Sequence, residues 1–479
     1  MKILLIKPPQ GKVYGIKMLP AYPSLGILYI AAALEKQNHK VKLLDMDVDV
    51  EDQLDRLINN FGPHLIGITA GTTTINKVFS LVHEIKRIKN IPIVLGGIHP
   101  TAVPEDCILH REVDFLVIGE GECTIVKLAK TLEEERGDFS SVNGLWYKKN
   151  NRIYNNLPRL LEKELDNISF PSWHLVKHWY RFRPPDAKRL PAAPLMTSRG
   201  CPKQCTFCCS HLIFGRGYRI RSIDNILEEI DILVRDYGVK EIHFVDDAFN
   251  LIKERVLVLC QKIKERDLNI NFEFSNGLLA ENIDEDILSA LKSIGVINVG
   301  FGVETADDII RRSVKKGLDL ETAERSFKLA KKMGFETWGF FIFGVPGETT
   351  DSIKATIEFA RRVNPTFTKF MILKPYPGTE MHKYLSEKKL INDFNFDNYG
   401  VYTPPVHHLD SITSKELLYW QKRAFKEFYL RPHKIISYIL RINSLARFKL
   451  TLNNLLFIIL NFVNIFRRNR AVFKPNFVS

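Results

Sequence analysis

Three cysteines lie close together in one short stretch and have the spacing of metal ligands. Residues 198–210 read SRGCPKQCTFCCS, so Cys201, Cys205 and Cys208 form a CxxxCxxC triplet. Soft thiolates favour iron–sulfur clusters, zinc or copper, and a triplet this compact can wrap one metal centre only if the intervening chain is a loop. A 4Fe–4S cluster held by three cysteines keeps one iron open to an outside ligand. That open iron is where chemistry can occur.

Zinc is the alternative metal for this triplet. Structural zinc normally takes four protein ligands, often from two CxxC pairs. No second cysteine pair follows the triplet in the sequence, and His211 is a candidate for a fourth ligand. Cys209 falls outside the spacing and is interpreted as a packing residue. The ligand count favours the cluster and leaves zinc open.

The triplet, with the aromatic Phe207 directly before its third cysteine, resembles that of the radical S-adenosylmethionine (SAM) superfamily. The resemblance implies that Cys201, Cys205 and Cys208 hold a 4Fe–4S cluster, with Phe207 beside the cofactors. The open iron would bind the amino and carboxylate groups of SAM. The reduced cluster would then cleave SAM to a 5'-deoxyadenosyl radical.

The composition is that of a globular intracellular protein with a basic end. The 479 residues suffice for two or three domains, and 45% hydrophobic residues exclude global disorder. Seven cysteines without a paired framework predict a reducing, cytoplasmic location. The formal charge is +13, but the chain from Arg431 onward has nine Lys or Arg and no Asp or Glu, leaving +4 for the rest. The charge is therefore no evidence that the catalytic part binds nucleic acid.

Continuous apolar strands alternate with helices at the start of the chain. Strands are predicted at 2–7, 41–44, 64–69, 91–95 and 114–118, with helices between them, as at 24–37 and 75–89. Strands that are apolar on both faces predict a Rossmann-like, doubly wound parallel sheet. Such sheets bind ligands at the carboxyl ends of their strands.

Small and polar residues follow three of these strands, in loops 70–74 (AGTTT), 96–99 (GGIH) and 119–122 (GEGE). Glycines let a bulky ligand approach the backbone, and hydroxyls can bind its amide and phosphate groups. Glycine is also common in ordinary turns, so the loops alone do not establish a site. The candidate ligand contacts are Gly71, Thr72, Thr73, Gly96, Gly97, His99, Gly119, Gly121 and Glu122.

The segments PSLGILYIAAALEKQNHKVKLLD, GGIHPTAVPE and DFLVIGEGE resemble the cobalamin-binding domain that precedes the triplet in one class of radical SAM enzymes. The resemblance implies that the loop residues above contact cobalamin. Many cobalamin domains carry a DxHxxG motif whose histidine ligates cobalt, and this sequence has none. The class commonly lacks the motif, so we expect cobalt without a histidine on its lower face. A degenerate domain that binds nothing is the alternative.

Strand and helix signals alternate again around and after the triplet. One strand leads into the cysteines at 195–197, and others are predicted at 241–245, 271–274, 298–303, 337–343 and 367–373. These β/α units predict a partial (β/α)6 barrel of parallel strands with its site at the carboxyl-terminal mouth.

Polar residues end three strands of this barrel. Asp246 and Asp247 could accept hydrogen bonds from the methionyl ammonium of SAM, although helix capping would explain one of them. Asn276 could bind carboxylate or ribose, and a turn formed by Asn-Gly is equally plausible. Glu304 suits the ribose hydroxyls or the ammonium, because polar residues at this face of a barrel are commonly functional.

Residues 339–348, GFFIFGVPGE, resemble the superfamily's adenine-contacting GxIxGxxGE segment. Ile342, Gly344, Gly347 and Glu348 match it, whereas Phe340 stands where the first glycine is expected. The resemblance implies that Ile342 and Gly344 bind SAM. All the motifs together extend over about residues 1–390.

The predicted domains are a cobalamin-binding domain at 1–145, a linker at 146–190, the radical SAM barrel at 191–395 and a basic helical region at 396–479. In the last, residues 454–466 (NLLFIILNFVNIF) are mostly apolar with basic flanks. This segment is too short to span a bilayer, which needs about 20 residues. It suits either an anionic membrane surface or a helix packed on the barrel.

These features predict a cobalamin-dependent radical SAM enzyme that methylates an unactivated carbon of a lipophilic or natural-product small molecule. Cyclisation or carbon–carbon bond formation without methylation stays open, as does a zinc-bound or cobalamin-binding sensor without catalysis. A methylthiotransferase acting on transfer RNA would need three N-terminal cysteines, and only Cys107 and Cys123 precede the linker. We expect flavodoxin or ferredoxin as electron donor, peripheral contact with the inner face of the membrane through the tail, and no nucleic acid.

Overall fold

The computed structural model describes residues 1–10, 20–51, 53–134, 137–401 and 403–440. The apolar segment at 454–466 and its basic flanks lie outside these residues. Among the helices within the described ranges, none is long and apolar enough to cross a membrane.

The N-terminal part is built on one seven-stranded sheet. Its strands are β1 Lys2–Lys7, β2 Lys40–Asp45, β3 Leu65–Thr69, β4 Ile93–Gly96, β5 Phe115–Val117, β6 Leu145–Lys149 and β7 Arg152–Asn155. Their spatial order is β2-β1-β3-β4-β5-β6-β7, and the pairs among β1 to β5 are parallel. Because the order reverses between β1 and β3, a crevice for ligands is expected at their carboxyl ends.

Helices cover both faces of this sheet. Alternate residues of β1 point to different cores: Ile3 belongs to one apolar cluster, and Leu4 belongs to the other. The period of two places successive side chains on opposite faces, which explains why the strand is apolar throughout. The helices are α1 Leu25–Glu35, α2 Leu54–Phe61, α3 Ile75–Ile88, α4 Ile98–Ala102, α5 Pro104–Leu109 and α6 Glu122–Glu133.

The sheet is mixed, because β6 and β7 add an antiparallel hairpin to β5. Asn150 and Asn151 form its turn with φ of 51° and 57°. Asparagine tolerates this left-handed conformation, which two-residue hairpin turns require. The sheet therefore continues to Asn155, past the predicted domain end at residue 145.

The second part contains six longer parallel strands. They are β8 Ala192–Leu195, β11 Glu241–Phe244, β12 Asn271–Phe274, β13 Asn298–Glu304, β14 Glu336–Phe343 and β15 Phe367–Ile372; a two-residue pair, β9 Ser198–Arg199 and β10 Arg219–Ile220, flanks the cysteines. The long strands form the sheets β8-β11-β12 and β13-β14-β15. The amide of Leu278 joins these sheets by donating to the carbonyl of Gly300 at 2.8 Å. The predicted partial barrel is thus confirmed.

Helices alternate with the barrel strands, and the longer ones cover the outer side of the barrel. They are α7 His211–Phe214, α8 Ile223–Tyr237, α9 Lys253–Glu265, α10 Glu285–Ser293, α11 Asp308–Ser313, α12 Leu320–Lys332, α13 Thr350–Val363, α14 Glu380–Glu387, α15 Ser414–Tyr429 and α16 Pro432–Leu440. The C-terminal helix α15 closes the edge strand β15, since the Tyr429 hydroxyl bonds both the amide and the carbonyl of Thr368 at 2.9 Å.

One apolar core runs through both parts of the chain. It includes Leu28 of helix α1, Trp173 and Phe182 of the predicted linker, and the barrel residue Phe244. A hydrogen bond also holds Trp173 in place, because its indole nitrogen donates to the buried Glu229 at 3.1 Å. The linker therefore packs between the two domains.

Candidate functional site

The three cysteines lie on the loop between β9 and α7. Their thiols are free and partly exposed. The backbone of this loop forms turns only, and it is tied to the barrel at Thr206. The Thr206 amide donates to the carbonyl of Val314 at 3.1 Å, and its carbonyl accepts from the amide of Met381 at 3.0 Å.

The donor set of this loop fits a 4Fe–4S cluster. Burial raises the pKa of Cys201 and raises that of Cys205 to about 11, while the cation of Lys316 partly opposes the shift at Cys205. Thiols must lose their protons to bind metal, so cluster binding would release protons here. Within the described part of the chain, no three Cys, His, Asp or Glu side chains converge closely enough to hold a single metal ion. Three thiols along an irregular loop suit a cluster with one open iron better than a closed zinc site.

Asp246 is buried and fixes the start of the cysteine loop. Its carboxylate accepts hydrogen bonds from the Thr197 amide at 3.1 and 3.2 Å, from the Thr197 hydroxyl at 2.7 Å, and from the Ser198 hydroxyl. Burial raises its pKa, and these donors oppose the rise. The carboxylate is therefore engaged with the chain that leads to the cysteines, and its contact with SAM stays a prediction.

Asp247 and Asn276 lie at the same barrel mouth. Burial and then the charge of Asp246 raise the pKa of Asp247 to about 6, and a hydrogen bond with Ser210 opposes this rise. The Asn276 side chain donates to the carbonyls of Val245 at 2.9 Å and Asp246 at 3.3 Å. These bonds use the amide nitrogen and leave the amide oxygen for a ligand.

Glu304 ends β13 in a left-handed conformation, with φ of 70°. Few residues other than glycine adopt this conformation, and such strain clusters at functional sites. Its carboxylate pairs with the ammonium of Lys316 at 2.7 Å. Lys316 in turn acts on the thiol of Cys205, whose pKa it lowers. The pair thus brings Glu304 to the cluster loop.

The segment that resembles the adenine-contacting motif forms a tight turn after β14. Glu348 closes this turn by accepting the amides of Gly344 at 2.6 Å and Val345 at 3.1 Å, and burial raises its pKa to about 8. Gly344 has φ of 87°, and a Cβ there would lie 2.9 Å from Nε2 of His407. Backbone conformation and crowding therefore both require glycine at this position.

Two predicted SAM contacts are apolar. Phe207 and Ile342 belong to the same apolar cluster, which also contains Val314 and Leu373. The structure thus brings the residue before Cys208 and the end of β14 to one side of the mouth.

A cavity of about 210 Å³ lies between the first sheet and the cysteine loop. The predicted cobalamin contacts that line it are Gly96, Gly97, Gly119, Gly121 and Glu122. Its other wall comes from the second part of the chain, through Met196, Arg199, Ile213 and Phe214. The cavity therefore lies between the predicted cobalamin loops and the segments that flank the cysteine loop on either side.

The glycines of this cavity form a cradle that side chains would fill. Gly97 has φ of 108°, and a Cβ there would lie 2.9 Å from the carbonyl oxygen of Ala70. A Cβ at Gly121 would lie 2.9 Å from Cδ1 of Ile30. The lining is mostly apolar and contains no histidine among the described residues. An apolar cradle with closely approachable glycine backbone fits part of a bulky cofactor such as cobalamin.

Gly71, Thr72, Thr73 and His99 do not line the cavity. His99 is buried, with Nδ1 3.3 Å from the Thr72 hydroxyl and its ring edge-on to Phe396 at 4.8 Å. Burial lowers its pKa to about 4. These residues form a neighbouring packed layer, and their contact with cobalamin stays a prediction.

A buried ion-pair group joins the two domains, and the sequence reasoning missed it. Arg199, which precedes Cys201 closely, donates to Glu120 at 3.0 Å and to Glu122 at 2.6 Å. Arg219 donates to Glu120 at 2.8 Å. The side chains in these pairs are at most 15% exposed. Glu122, which was predicted to contact a cofactor, is thus an ion-pair partner of Arg199. These ion pairs tie the loop at 119–122 to strand β9, which leads into the cysteine loop.

Comparison with known protein families agrees with this arrangement. Residues 11–129 match the B12 binding domain, and residues 195–360 match the radical SAM superfamily.

Related proteins cover most of the chain. One, named as an uncharacterized methyltransferase of Pyrococcus horikoshii, is 35% identical over 447 residues, covering 91% of this chain and 94% of that protein. The anaerobic magnesium-protoporphyrin IX monomethyl ester cyclase of Rubrivivax gelatinosus is 27% identical and covers 90% of this chain and 78% of that protein. The solved structure of the cobalamin-dependent SAM radical enzyme OxsB aligns with a TM-score of 0.72 at 19% identity, covering 93% of this chain and 72% of that one.

The fold and the paired domains define a radical SAM enzyme with an N-terminal B12-binding domain. The chain belongs to the family of cobalamin-dependent radical SAM enzymes. This confirms the predicted family and its cofactors, cobalamin, a 4Fe–4S cluster and SAM. The individual contacts of the candidate residues with these cofactors stay predictions.

Proposed function

We propose that this enzyme transfers a methyl group to an unactivated carbon of a lipophilic small molecule. The observation that carries the proposal is the cavity with glycine loops of the B12-binding domain on one wall and residues around the cysteine loop on the other. Two cofactor sites that share a wall can act on one substrate carbon. When bound, the cluster and SAM supply hydrogen abstraction, and cobalamin supplies the methyl group.

The protein's own residues hold these sites in a fixed relation. Arg199 ties the loop of Glu120 and Glu122 to the strand that leads into the cysteines. Asp246 fixes Thr197 and Ser198, the two residues directly before Arg199. Such short, buried bonds preorganise groups that must act together. We assign Cys201, Cys205 and Cys208 to the cluster, and Asp247, Asn276 and Glu304 to SAM.

Cyclisation without methyl transfer is the second candidate. It is favoured by the 27% identity, over 90% of this chain, to the cyclase of Rubrivivax gelatinosus. The two reactions consume SAM differently. Methylation must convert part of the SAM to S-adenosylhomocysteine, because SAM is the methyl donor, whereas cyclisation needs only its reductive cleavage.

The products of SAM test the proposal. The full chain is reconstituted anaerobically with iron, sulfide and cobalamin, then given SAM and a chemical reductant. Methyl transfer predicts both 5'-deoxyadenosine and S-adenosylhomocysteine, since bound, reduced cobalamin would accept the methyl group of SAM when no substrate is added. Formation of 5'-deoxyadenosine alone would favour cyclisation, and formation of neither would contradict both functions.

The tail supports a proposal about location and substrate class. Its nine basic residues and the apolar run at 454–466 suit the surface of an anionic membrane. An enzyme held at the cytoplasmic face of a membrane is well placed to receive a lipid, an isoprenoid or a hydrophobic tetrapyrrole. At that surface, a soluble electron donor such as flavodoxin or ferredoxin would reduce the cluster.

A further inference from the structure

The inner faces of β14 and β15 form an accessible wall inside the barrel. Thr337, Gly339 and Phe341 of β14 are buried, whereas the alternate residues Trp338 and Phe340 are partly exposed. The strand has a hydrogen-bonded neighbour on each side, so this exposure does not come from a free edge. The accessible face must therefore open into the barrel lumen.

Lys369 lies on the same wall, on the neighbouring strand β15. Residues 367, 369 and 371 of this strand are partly exposed, and Lys369 is one of them. The ammonium lies 5.2 Å from the centre of the Trp338 ring and 5.4 Å from that of Phe340. Ammonium groups are attracted to ring faces in this way, most strongly where water is excluded.

The Lys369 ammonium has no anionic partner among the described residues. Nearby Asp186 acts on its charge from a distance but forms no ion pair with it, and burial lowers the lysine pKa. Glu273, on which the same Asp186 acts, is paired with Lys188 at 3.0 Å. The ammonium thus lies beside two rings inside the barrel with donors that an added anion could use.

A polar, hydrogen-bonded group around Tyr22 borders the same region, because Asp186 acts on both Tyr22 and Lys369. The Tyr22 hydroxyl lies 2.6 Å from Nδ1 of His243 and 2.8 Å from the hydroxyl of Ser275. The other ring nitrogen of His243 lies 2.7 Å from Glu241. Tyr22 comes from the B12-binding part of the chain and contacts two barrel residues, so both domains border this part of the barrel.

We propose that the lumen binds a substrate with a ring or conjugated apolar portion, which packs on Trp338 and Phe340, and with an anionic group, which Lys369 binds. This inference rests on the proposed function and narrows its lipophilic substrate to an acidic one. The anion can be a carboxylate or a phosphate, since both accept hydrogen bonds from an ammonium. The two rings set the plane of the apolar portion, and the lysine sets its direction.

Three probes of the same shape and different charge test the lumen. The reconstituted full-length protein is dialysed to equilibrium against 2-naphthoate, 2-naphthalenemethanol or 2-naphthylmethylammonium. We expect naphthoate to bind about tenfold tighter than the alcohol, the effect of one partly buried charge-assisted hydrogen bond. The ammonium probe should bind most weakly.

Substitutions assign this preference to Lys369. Lys369→Met should abolish the difference between naphthoate and the alcohol, and Lys369→Arg should retain it. Lys354→Met is the matched control, because Lys354 also lies over a tryptophan, Trp420 at 6.0 Å, but on the exposed surface of α13. This control should bind the probes as wild type does. Equal iron content in all variants would verify that they fold.

Two outcomes would overturn the inference. One is a wild-type protein that does not prefer naphthoate to the alcohol, including one that prefers the ammonium probe through Asp186. The other is a preference that survives in Lys369→Met. The proposed function is tested separately by the wild-type SAM products, so naphthoate selectivity and methyl transfer can fail independently.

Discussion

The ion pairs of Arg199 predict a large effect of a single substitution on the stability of the folded chain. Arg199→Met removes the bonds to Glu120 and Glu122 at 3.0 and 2.6 Å. It also removes the guanidinium from the ring of Tyr29, whose centre lies 5.1 Å away. Breaking a buried pair costs about 3–5 kcal/mol, because the remaining charge is left buried without a partner.

Part of that cost should be recovered, since Glu120 keeps Arg219 at 2.8 Å. Glu122 is the residue left unpaired, and its side chain is 15% exposed. We therefore expect a loss near the lower limit, about 3 kcal/mol in the free energy of unfolding. Glu120→Gln should cost more than Glu122→Gln, because Glu120 serves both arginines.

Urea unfolding followed by near-ultraviolet circular dichroism measures this effect. A double-mutant cycle of Arg199→Met and Glu122→Gln should give a coupling energy of about 1 kcal/mol or more. Arg235→Met is the control, since Arg235 forms a similar pair with Asp236 on the surface, at 2.7 Å. This control should leave stability unchanged. Additive effects in the cycle, or equal losses for Arg199→Met and the control, would refute the reasoning.

Three further results are expected. Reconstituted wild-type protein should hold about four irons per chain. The variants Cys201→Ala, Cys205→Ala and Cys208→Ala should each lose the cluster, whereas Cys209→Ala should keep it. Normal iron loading of Cys205→Ala would contradict the assignment. Burial lowers the pKa of His407 from 6.5 to about 4. As the pH falls, this histidine is therefore protonated in the unfolded chain before it is protonated in the folded chain. Between pH 6.5 and 4, the free energy of unfolding of the wild type should therefore fall by up to about 3 kcal/mol more than that of His407→Gln. Urea unfolding at each pH measures this difference. Identical pH profiles for the two proteins would contradict the burial of His407. Anionic vesicles should co-sediment the full chain but not a truncation after Leu440, which keeps α16 because Tyr438 bonds the carbonyl of Thr366; equal binding of both would remove the membrane proposal.

The sequence predicted the parts of the fold that depend on local patterns. Strands such as β1 and β14 are apolar enough to be recognised alone. The cysteine triplet marks the loop between β9 and α7. The hairpin of β6 and β7 was missed because β7 is exposed along its whole length and has no apolar face. The Asn150–Asn151 turn was the signal that could have revealed it.

The contacts of the site depended on distant pairs, which local patterns do not report. Glu122 looked like a cofactor residue because it follows a glycine loop, yet its partner Arg199 lies 77 residues away. Asp246 looked like a SAM ligand, but its carboxylate is engaged with Thr197 and Ser198. Lys369 gave no signal, because a single lysine in a strand is usually an edge or surface residue.

If cobalamin and the cluster occupy adjoining sites, their unpaired electrons should interact, and electron paramagnetic resonance can detect that interaction. The protein is reconstituted with both groups and reduced so that the Co(II) and the cluster are both paramagnetic. We expect the Co(II) signal to relax faster than in Cys205→Ala, which lacks the cluster, and to show no nitrogen splitting from a protein histidine. A Co(II) signal whose relaxation is the same with and without the cluster would contradict the shared wall between the two sites.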